Sequence, residues 1–352
     1  MKGNKKPIIA IRVDGNEYIG TGHLVRCMCM ARALEKQGAH CVFFVAQEQA
    51  GAFVREKGFE CLVLNTDYSN MEAELSELIK VGKEYAPKLW LVDSYQVTRE
   101  YLRGLGQVYP VVHMDDTGDL VFESDGLINY NIYGEEMDYE SKCSPQMRLL
   151  LGAKYAPVKE EFTKIPYRIS EDVQNVLITM GGSDKLNITG KFCQCLLRCL
   201  PENIHFTLIC GRFNPHLQEL TELQKMNSRV QVLVDVPDMW NKLAMADVAI
   251  SAGGTTMYEL CAMGIPTVCC YYVENQRRVA EGFASRVQLC NLGDFSKEPD
   301  IVLSGLSEAV SELVENRELR EKLSKRMKSI VDGHGAERIA KWLLETAKCD
   351  IG

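Results

Sequence analysis

A chain of 352 residues is long for a single hydrophobic core, so two domains are expected. Its 46% hydrophobic and 25% charged residues are those of an ordinary globular protein, and no apolar run approaches the roughly 20 residues of a membrane span. A net charge of −8 argues against broad nucleic-acid binding, while leaving room for a small anionic ligand held by local groups.

In chain order, apolar strand-like runs at Ile8–Ile11, Cys41–Val45, Cys61–Leu64, Leu89–Val92, Val111–Met114 and Gly126–Ile128 alternate with helical patterns. The latter fall at Leu24–Gln37, Ala50–Lys57, Glu72–Glu84 and Thr98–Leu105. Around Cys143–Tyr167, three prolines among charged residues predict a linker. The alternation then restarts. Strands are predicted at Asn175–Met180, His205–Cys210, Val230–Val234, Asp247–Ser251, Pro266–Tyr272 and Val287–Asn291. Helices are predicted at Ile188–Cys199, Pro215–Met226, Met239–Met245, Thr256–Met263, Asn275–Ser285 and Leu303–Asn316. The end is helical, over Arg317–Ile330 and Ala336–Lys348, with a break at Asp332-Gly-His-Gly335. Alternating β and α elements mean parallel sheets covered on both faces. The expected fold class is therefore α/β, with two Rossmann-like doubly wound domains in tandem facing a central cleft. The expected boundaries are 1–160, 161–330, and a terminal helical segment 331–352.

The 14 cysteines include many in apolar runs and no Cys-x-x-Cys pair, which predicts free thiols in a reducing cytosol. The N-terminus has a basic start but lacks the apolar region of a signal peptide, so a cytoplasmic location is expected.

Two stretches carry chemistry. Gly20-Thr-Gly22 sits between the first strand and the first helix, followed by His23 and, three residues on, Arg26. Backbone amides at such a turn and the positive helix end favour an anion. Residues three apart share a helix face, so imidazole and guanidinium look into one space at the carboxyl end of a parallel strand. Imidazole titrates near pH 6.5 in water, so a histidine there can take a proton from water. Asp14 orients His23, pairs with Arg26, or caps the turn. Asp115 and Asp116 cap a loop rather than hold a metal, because no third ligand stands at a telling spacing.

In the second half, Ser251-Ala-Gly253-Gly254-Thr255-Thr256-x-x-Glu259 forms a strand-to-helix turn. Gly253 and Gly254 let a ligand approach the backbone, and Thr255 and Thr256 supply hydroxyls and an N-cap, together a diphosphate cradle. Glu259, one turn deeper on the same face, can accept both ribose hydroxyls. Gly182 and Ser183 form another glycine turn, Arg212 follows a third strand, and the backbone at Val236 can read a base edge. Asn275 and Gln276 open a further helix.

These motifs resemble those of the GT-B glycosyltransferase group that includes the MurG enzymes, and more closely those of the PseG/SpsG family. The similar positions are Arg12-x-Asp14, Ile19-Gly-x-Gly-His23-x-x-Arg26, Val92-Asp-Ser-Tyr95, Met114-Asp-Asp116, Asn129, Gly182-x-Asp184, Asn275-Gln276 and Asp332-Gly-x-Gly-Ala-x-Arg-Ile339. The resemblance implies a GT-B fold with UDP in the C-terminal half and the last helix packed back on the N-terminal domain. It implies hydrolysis of a UDP-sugar, with water attacking the anomeric carbon and inverting it. It also implies His23 as the catalytic histidine, Tyr95 and Asn275 near the sugar and its water, and Glu259 on the ribose. Asp-Ser-Tyr here departs from the Asp-His-Tyr of the PseG pattern, which loosens the details around the sugar. No cofactor and no metal are implied. The expected partner is a UDP-sugar substrate, with neither nucleic acid nor membrane; a monomer is expected, although nothing in the sequence fixes the oligomeric state. Two other readings stay open: a GT-B glycosyltransferase that passes the sugar to an acceptor, and a non-catalytic UDP-sugar binding protein.

Overall fold

A computed structural model describes residues 6–16, 19–119 and 123–348. The chain divides into two compact units, one made of residues 1–158 with 334–352 and the other of residues 159–333.

The first unit contains β1 (Ile8–Val13), α1 (Gly22–Lys36), β2 (His40–Val45), α2 (Glu48–Glu56), β3 (Glu60–Val63), α3 (Met71–Tyr85), β4 (Leu89–Asp93), α4 (Arg99–Gly106), β5 (Val111–Met114), β6 (Gly126–Asn129) and β7 (Arg148–Leu151). Among the described residues its sheet has seven strands, all parallel, in the order β3-β2-β1-β4-β5-β6-β7. β1, β2, β4, β5 and β6 are almost wholly buried, as strands covered on both faces must be. Trp90, Phe44, Tyr101, Leu102 and Leu105 build the core on one side of the sheet. β7 falls inside the segment expected to be a linker. Its Leu149-Leu-Leu151 run is short and flanked by turn residues, yet it pairs with β6 along four residues.

The second unit runs α5 (Glu161–Lys164), β8 (Asn175–Thr179), α6 (Ile188–Cys199), β9 (His205–Cys210), α7 (Leu217–Met226), β10 (Val230–Val234), α8 (Met239–Leu243), β11 (Val248–Ala252), α9 (Thr256–Met263), β12 (Thr267–Tyr271), α10 (Glu274–Val287), β13 (Asn291–Asp294), α11 (Pro299–Glu315) and α12 (Arg317–Ile330). Its six strands are also parallel, in the order β10-β9-β8-β11-β12-β13. The strand expected at Val287–Asn291 lies later, because α10 runs on to a buried Val287 and ends on Gln288 in the left-handed region (φ 62°). The last helix, α13 (Gly335–Thr346), belongs to the first unit, packs on α1, and sets Trp342 against Gly126.

In each sheet the strand order reverses once, between β1 and β4 and between β8 and β11. A doubly wound sheet opens a crevice at the carboxyl ends of such a pair, which is where ligands bind. His23 follows β1 and Asp93 ends β4; Gly181-Gly-Ser183 follows β8 and Gly253-Gly-Thr255 follows β11. Topology therefore marks one candidate site in each unit.

Candidate active site

The turn after β1 is tighter than its sequence suggests. Gly20 adopts φ +73°, which a side chain would strain, and donates its N–H to Asn16 O at 2.8 Å. That amide is thus unavailable to an anion. Gly22 begins α1 and faces open space. His23 and Arg26 are both buried, on one face of the helix as their spacing predicts.

Their partner is not Asp14. His23 Nδ1 lies 2.7 Å from Asp93 Oδ1. Arg26 donates Nε to Asp93 Oδ2 at 2.6 Å and Nη2 to Oδ1 at 2.5 Å. Its Nη1 reaches Asp116 Oδ2 at 2.7 Å and the Tyr130 hydroxyl at 3.3 Å. Burial alone would raise the Asp93 carboxyl, but Arg26 and His23 outweigh it and hold it well below the usual carboxylate range. An ionised carboxylate has no proton to give, so Nδ1–H donates to Asp93, and in the neutral ring the acceptor is then Nε2. Arg26 Nη2 also sits 3.0 Å from Nδ1, but a protonated Nδ1 offers it no lone pair, and it donates to Asp93 Oδ1.

Asp14 has a different task. It binds Arg12 Nη1 at 2.5 Å and accepts the Ala46 N–H at 2.8 Å. Arg12, wholly buried in β1, also binds Glu74 through Nε at 2.6 Å and Nη2 at 2.9 Å, and Glu74 accepts from Thr66 and Tyr101. Both expected roles for Asp14, orienting His23 and pairing with Arg26, fall to Asp93, and for Arg26 also to Asp116. Arg26, expected to touch substrate, has its donors committed to protein groups. Asp115 caps its loop as expected, accepting from Thr117 and Gly118 N–H groups and from the Tyr139 hydroxyl. Among the described residues, no group of three or more His, Cys, Asp or Glu stands where it could hold a metal ion.

Tyr95 is 56% exposed and meets the His23 ring edge to face at 4.5 Å. Its hydroxyl donates to Asp116 Oδ2 at 3.2 Å, and desolvation with the Asp116 charge pushes the phenol up. Asp14, Ile19, His23, Tyr68, Asp93, Ser94, Tyr95 and Gln96 line one small pocket. Asp93, Tyr68 and Asp116 were not expected in the site. Asp93 had two usable signals: it ends a buried strand at the carboxyl edge, and it lies within the Val92-Asp-Ser-Tyr95 motif.

In the second unit, Gly253 has a packing role. A Cβ there would sit 2.5 Å from Gln276 O and 2.9 Å from Ala280 Cβ, and its N–H is spent on Cys270 O at 2.9 Å. Gly254 faces open space. Thr255 stands at the N-cap position with helical dihedrals and no side-chain capping bond, so the expected cap does not form. The first donors of the α9 turn are Met257 N–H to Gly254 O and Tyr258 N–H to Thr255 O. The amides of Thr255 and Thr256 precede them and lack an acceptor within the helix. Gly254 N–H is spent on Ala252 O at 2.7 Å, so what this turn could offer an anion is the Thr255 and Thr256 amides, their hydroxyls and the positive helix end.

Glu259 lies one turn deeper on α9, and desolvation pushes its carboxyl up to about 7 despite the opposing charge of Lys159. Gly182 and Ser183 are exposed on the β8 loop, next to β11, and Gly211 packs on Gly182. Arg212 is tied to Asp235. Asn275 is exposed in the first turn of α10, and Gln276 Oε1 accepts the Tyr272 N–H at 3.2 Å. Val236 follows β10, three strand positions from β11.

Two doubly wound units, each on a parallel sheet with one switch point, fit a GT-B fold, the architecture of the MurG structure. The structure of MurG from Acinetobacter baumannii superposes with a TM-score of 0.66 at 12% identity, covering 97% of this chain and 99% of that one. Residues 176–341 match the glycosyltransferase family 28 C-terminal domain. Over the full length the chain is similar to the spore coat polysaccharide biosynthesis protein SpsG of Bacillus subtilis, at 26% identity over 97% of this chain and 99% of that protein. It is also similar to the UDP-2,4-diacetamido-2,4,6-trideoxy-beta-L-altropyranose hydrolase of Campylobacter jejuni, at 23% identity over 79% of this chain and 96% of that protein. No helix among the described residues is long and apolar enough to cross a membrane.

Proposed function

We propose that the protein is a metal-independent nucleotide-sugar hydrolase that removes UDP from a UDP-activated sugar. The specific substrate we favour is the one named for the Campylobacter relative, a 2,4-diacetamido-2,4,6-trideoxy sugar of pseudaminic acid biosynthesis. The observation that supports the reading is the Asp93–His23 hydrogen bond through Nδ1, beside a small pocket that His23 lines, which would leave Nε2 to act as the base. The second unit would hold UDP, with its diphosphate on Gly254–Thr256 and its ribose on Glu259. Gly182, Ser183, Arg212, Val236 and Gln276 would complete that subsite.

In the reaction, a water oxygen attacks the anomeric carbon as its proton passes to His23 Nε2. The C–O bond to the β-phosphate breaks and the electron pair leaves with UDP, so the carbon inverts. UDP is a good leaving group, and a positioned base is therefore the main requirement. Tyr95 would hold the sugar against the imidazole, and Asn275 would lie near the water. The glycosyltransferase family 28 match favours a second reading, transfer to an acceptor. Incubation with a UDP-sugar and no acceptor separates the two. Steady UDP release supports the hydrolase; binding without release supports the transferase or a non-catalytic binder.

A further inference from the structure

We infer that Asp116 is a positioning residue for His23: through Arg26 and through Tyr95 it braces the imidazole from two sides. The inference rests on His23 as the base of the proposed reaction.

Asp93 holds the ring at Nδ1. Tyr95, two residues further on, packs against the same ring with centroids 4.5 Å apart and planes at 88°. Both holders lead to one oxygen. The Tyr95 hydroxyl donates to Asp116 Oδ2 at 3.2 Å. Arg26, which grips Asp93 through Nε and Nη2, donates Nη1 to the same Oδ2 at 2.7 Å. Asp116 Oδ1 is held from behind by Asn131 Nδ2 at 2.9 Å. Asn131 Nδ2 donates as well to Asn129 Oδ1 at 2.9 Å, and Asn129 Nδ2 donates to the Tyr139 hydroxyl at 2.7 Å. Tyr139 passes its own proton to Asp115, so the chain of donors ends on a second carboxylate. Asn129 and Asn131 are both buried. The Met114-Asp-Asp116 and Asn129 positions, which the proposed reaction leaves without a role, thereby become the backing of the site.

The three side chains that reach the Asp116 carboxylate, from Arg26, Tyr95 and Asn131, are all donors. A carboxylate accepts at both oxygens and satisfies all three, whereas an amide must turn its NH2 toward one of them. Asp116→Asn therefore keeps the volume and breaks the brace. Desolvation and the Asp116 charge keep the Tyr95 phenol protonated, so it stays a donor. Freed of that bond, a half-exposed tyrosine regains its rotamers and leaves the imidazole.

Two variants test this. Asp116→Asn acts on both holders; Tyr95→Phe keeps the ring and removes only the hydroxyl, at an exposed position. NMR on the full chain, with the His23 ring signals identified by their loss in His23→Asn, should show a ring-current shift from Tyr95 that disappears in Tyr95→Ala. Both Asp116→Asn and Tyr95→Phe should move the His23 signals toward their Tyr95→Ala positions, a coincidence that a merely structural role for Asp116 does not produce. For UDP release, kcat of Asp116→Asn should fall about tenfold or more while the UDP Kd holds. His23 signals that stay in place in either variant, or an unchanged kcat in Asp116→Asn, would overturn the inference. The hydrolase reading fails separately: no UDP release from the unaltered protein contradicts hydrolysis, and the ring-current shifts still decide whether Asp116 braces the imidazole.

Discussion

The two units share one topology but build opposite surroundings at their switch points. At the β1/β4 switch point the charges are paired and mostly buried: Asp93 receives His23 and Arg26, and Arg26 is held again by the half-buried Asp116. At the β8/β11 switch point the loops are short, glycine-rich and open, with Gly182, Ser183 and Thr255 exposed and Glu259 a carboxylate with a raised pKa. A rigid charge network suits a group that must hold one tautomer and move one proton. An open cradle suits a ligand that arrives with its own charge. A doubly wound sheet fixes where a ligand binds, and the side chains at the crevice decide whether the place holds or reacts.

The contrast predicts unequal responses to substitution, and the largest concerns Arg26. Arg26→Met removes the cation shared by Asp93 and Asp116 and leaves Asp93 wholly buried with less compensation. Breaking such a buried pair typically costs about 3–5 kcal/mol of stability. Urea denaturation of the variant should show a loss of that order. A loss below about 1 kcal/mol would mean the network is not what rigidifies the first site.

A smaller effect is expected at Glu259, without damage to the fold. Glu259→Ala should weaken UDP binding by about 1.5–3 kcal/mol, the worth of hydrogen bonds to a charged group. Unchanged calorimetry would remove Glu259 from the ribose site.

The smallest effect is a dependence on pH. With the carboxyl pushed up to about 7, Glu259 is protonated in the folded chain over a range where the unfolded chain has already ionised it, from about 4.3 upward. The unfolded state therefore holds fewer protons, and the contribution of Glu259 to stability falls as pH rises toward 7, then levels off. Binding should move the other way, with UDP affinity rising through pH 7 as the carboxylate forms. Glu259→Gln, compared at each pH, cancels the titration of the UDP phosphate and should flatten both trends.

Much of the frame is legible in the sequence because buried parallel strands and amphipathic helices have distinct periods. β1, β4, β9, α6 and α9 fall where the apolar pattern puts them, to within a residue or two. β7 is lost because three leucines between turn residues carry no period, and only the edge of β6 makes them a strand. The site is legible in its local part. The spacing of His23 and Arg26 places them on one helix face, but the carboxylates that bind Arg26 come from 67 and 90 residues further along, a distance no local pattern spans. Gly253 errs in a second way. The glycine motif reads as ligand access, while the residue is glycine because α10 packs against it.

The central claim is a division of labour, with proton transfer in the first unit and nucleotide binding in the second. Its most direct test is His23→Asn, measured for UDP release from a UDP-sugar and, on the same preparation, for UDP affinity. General-base catalysis is worth roughly 10²–10⁴ in rate, so kcat should fall by about that factor while the UDP Kd stays at its original value. An unchanged kcat, or a Kd that weakens in step with the rate, would contradict the account.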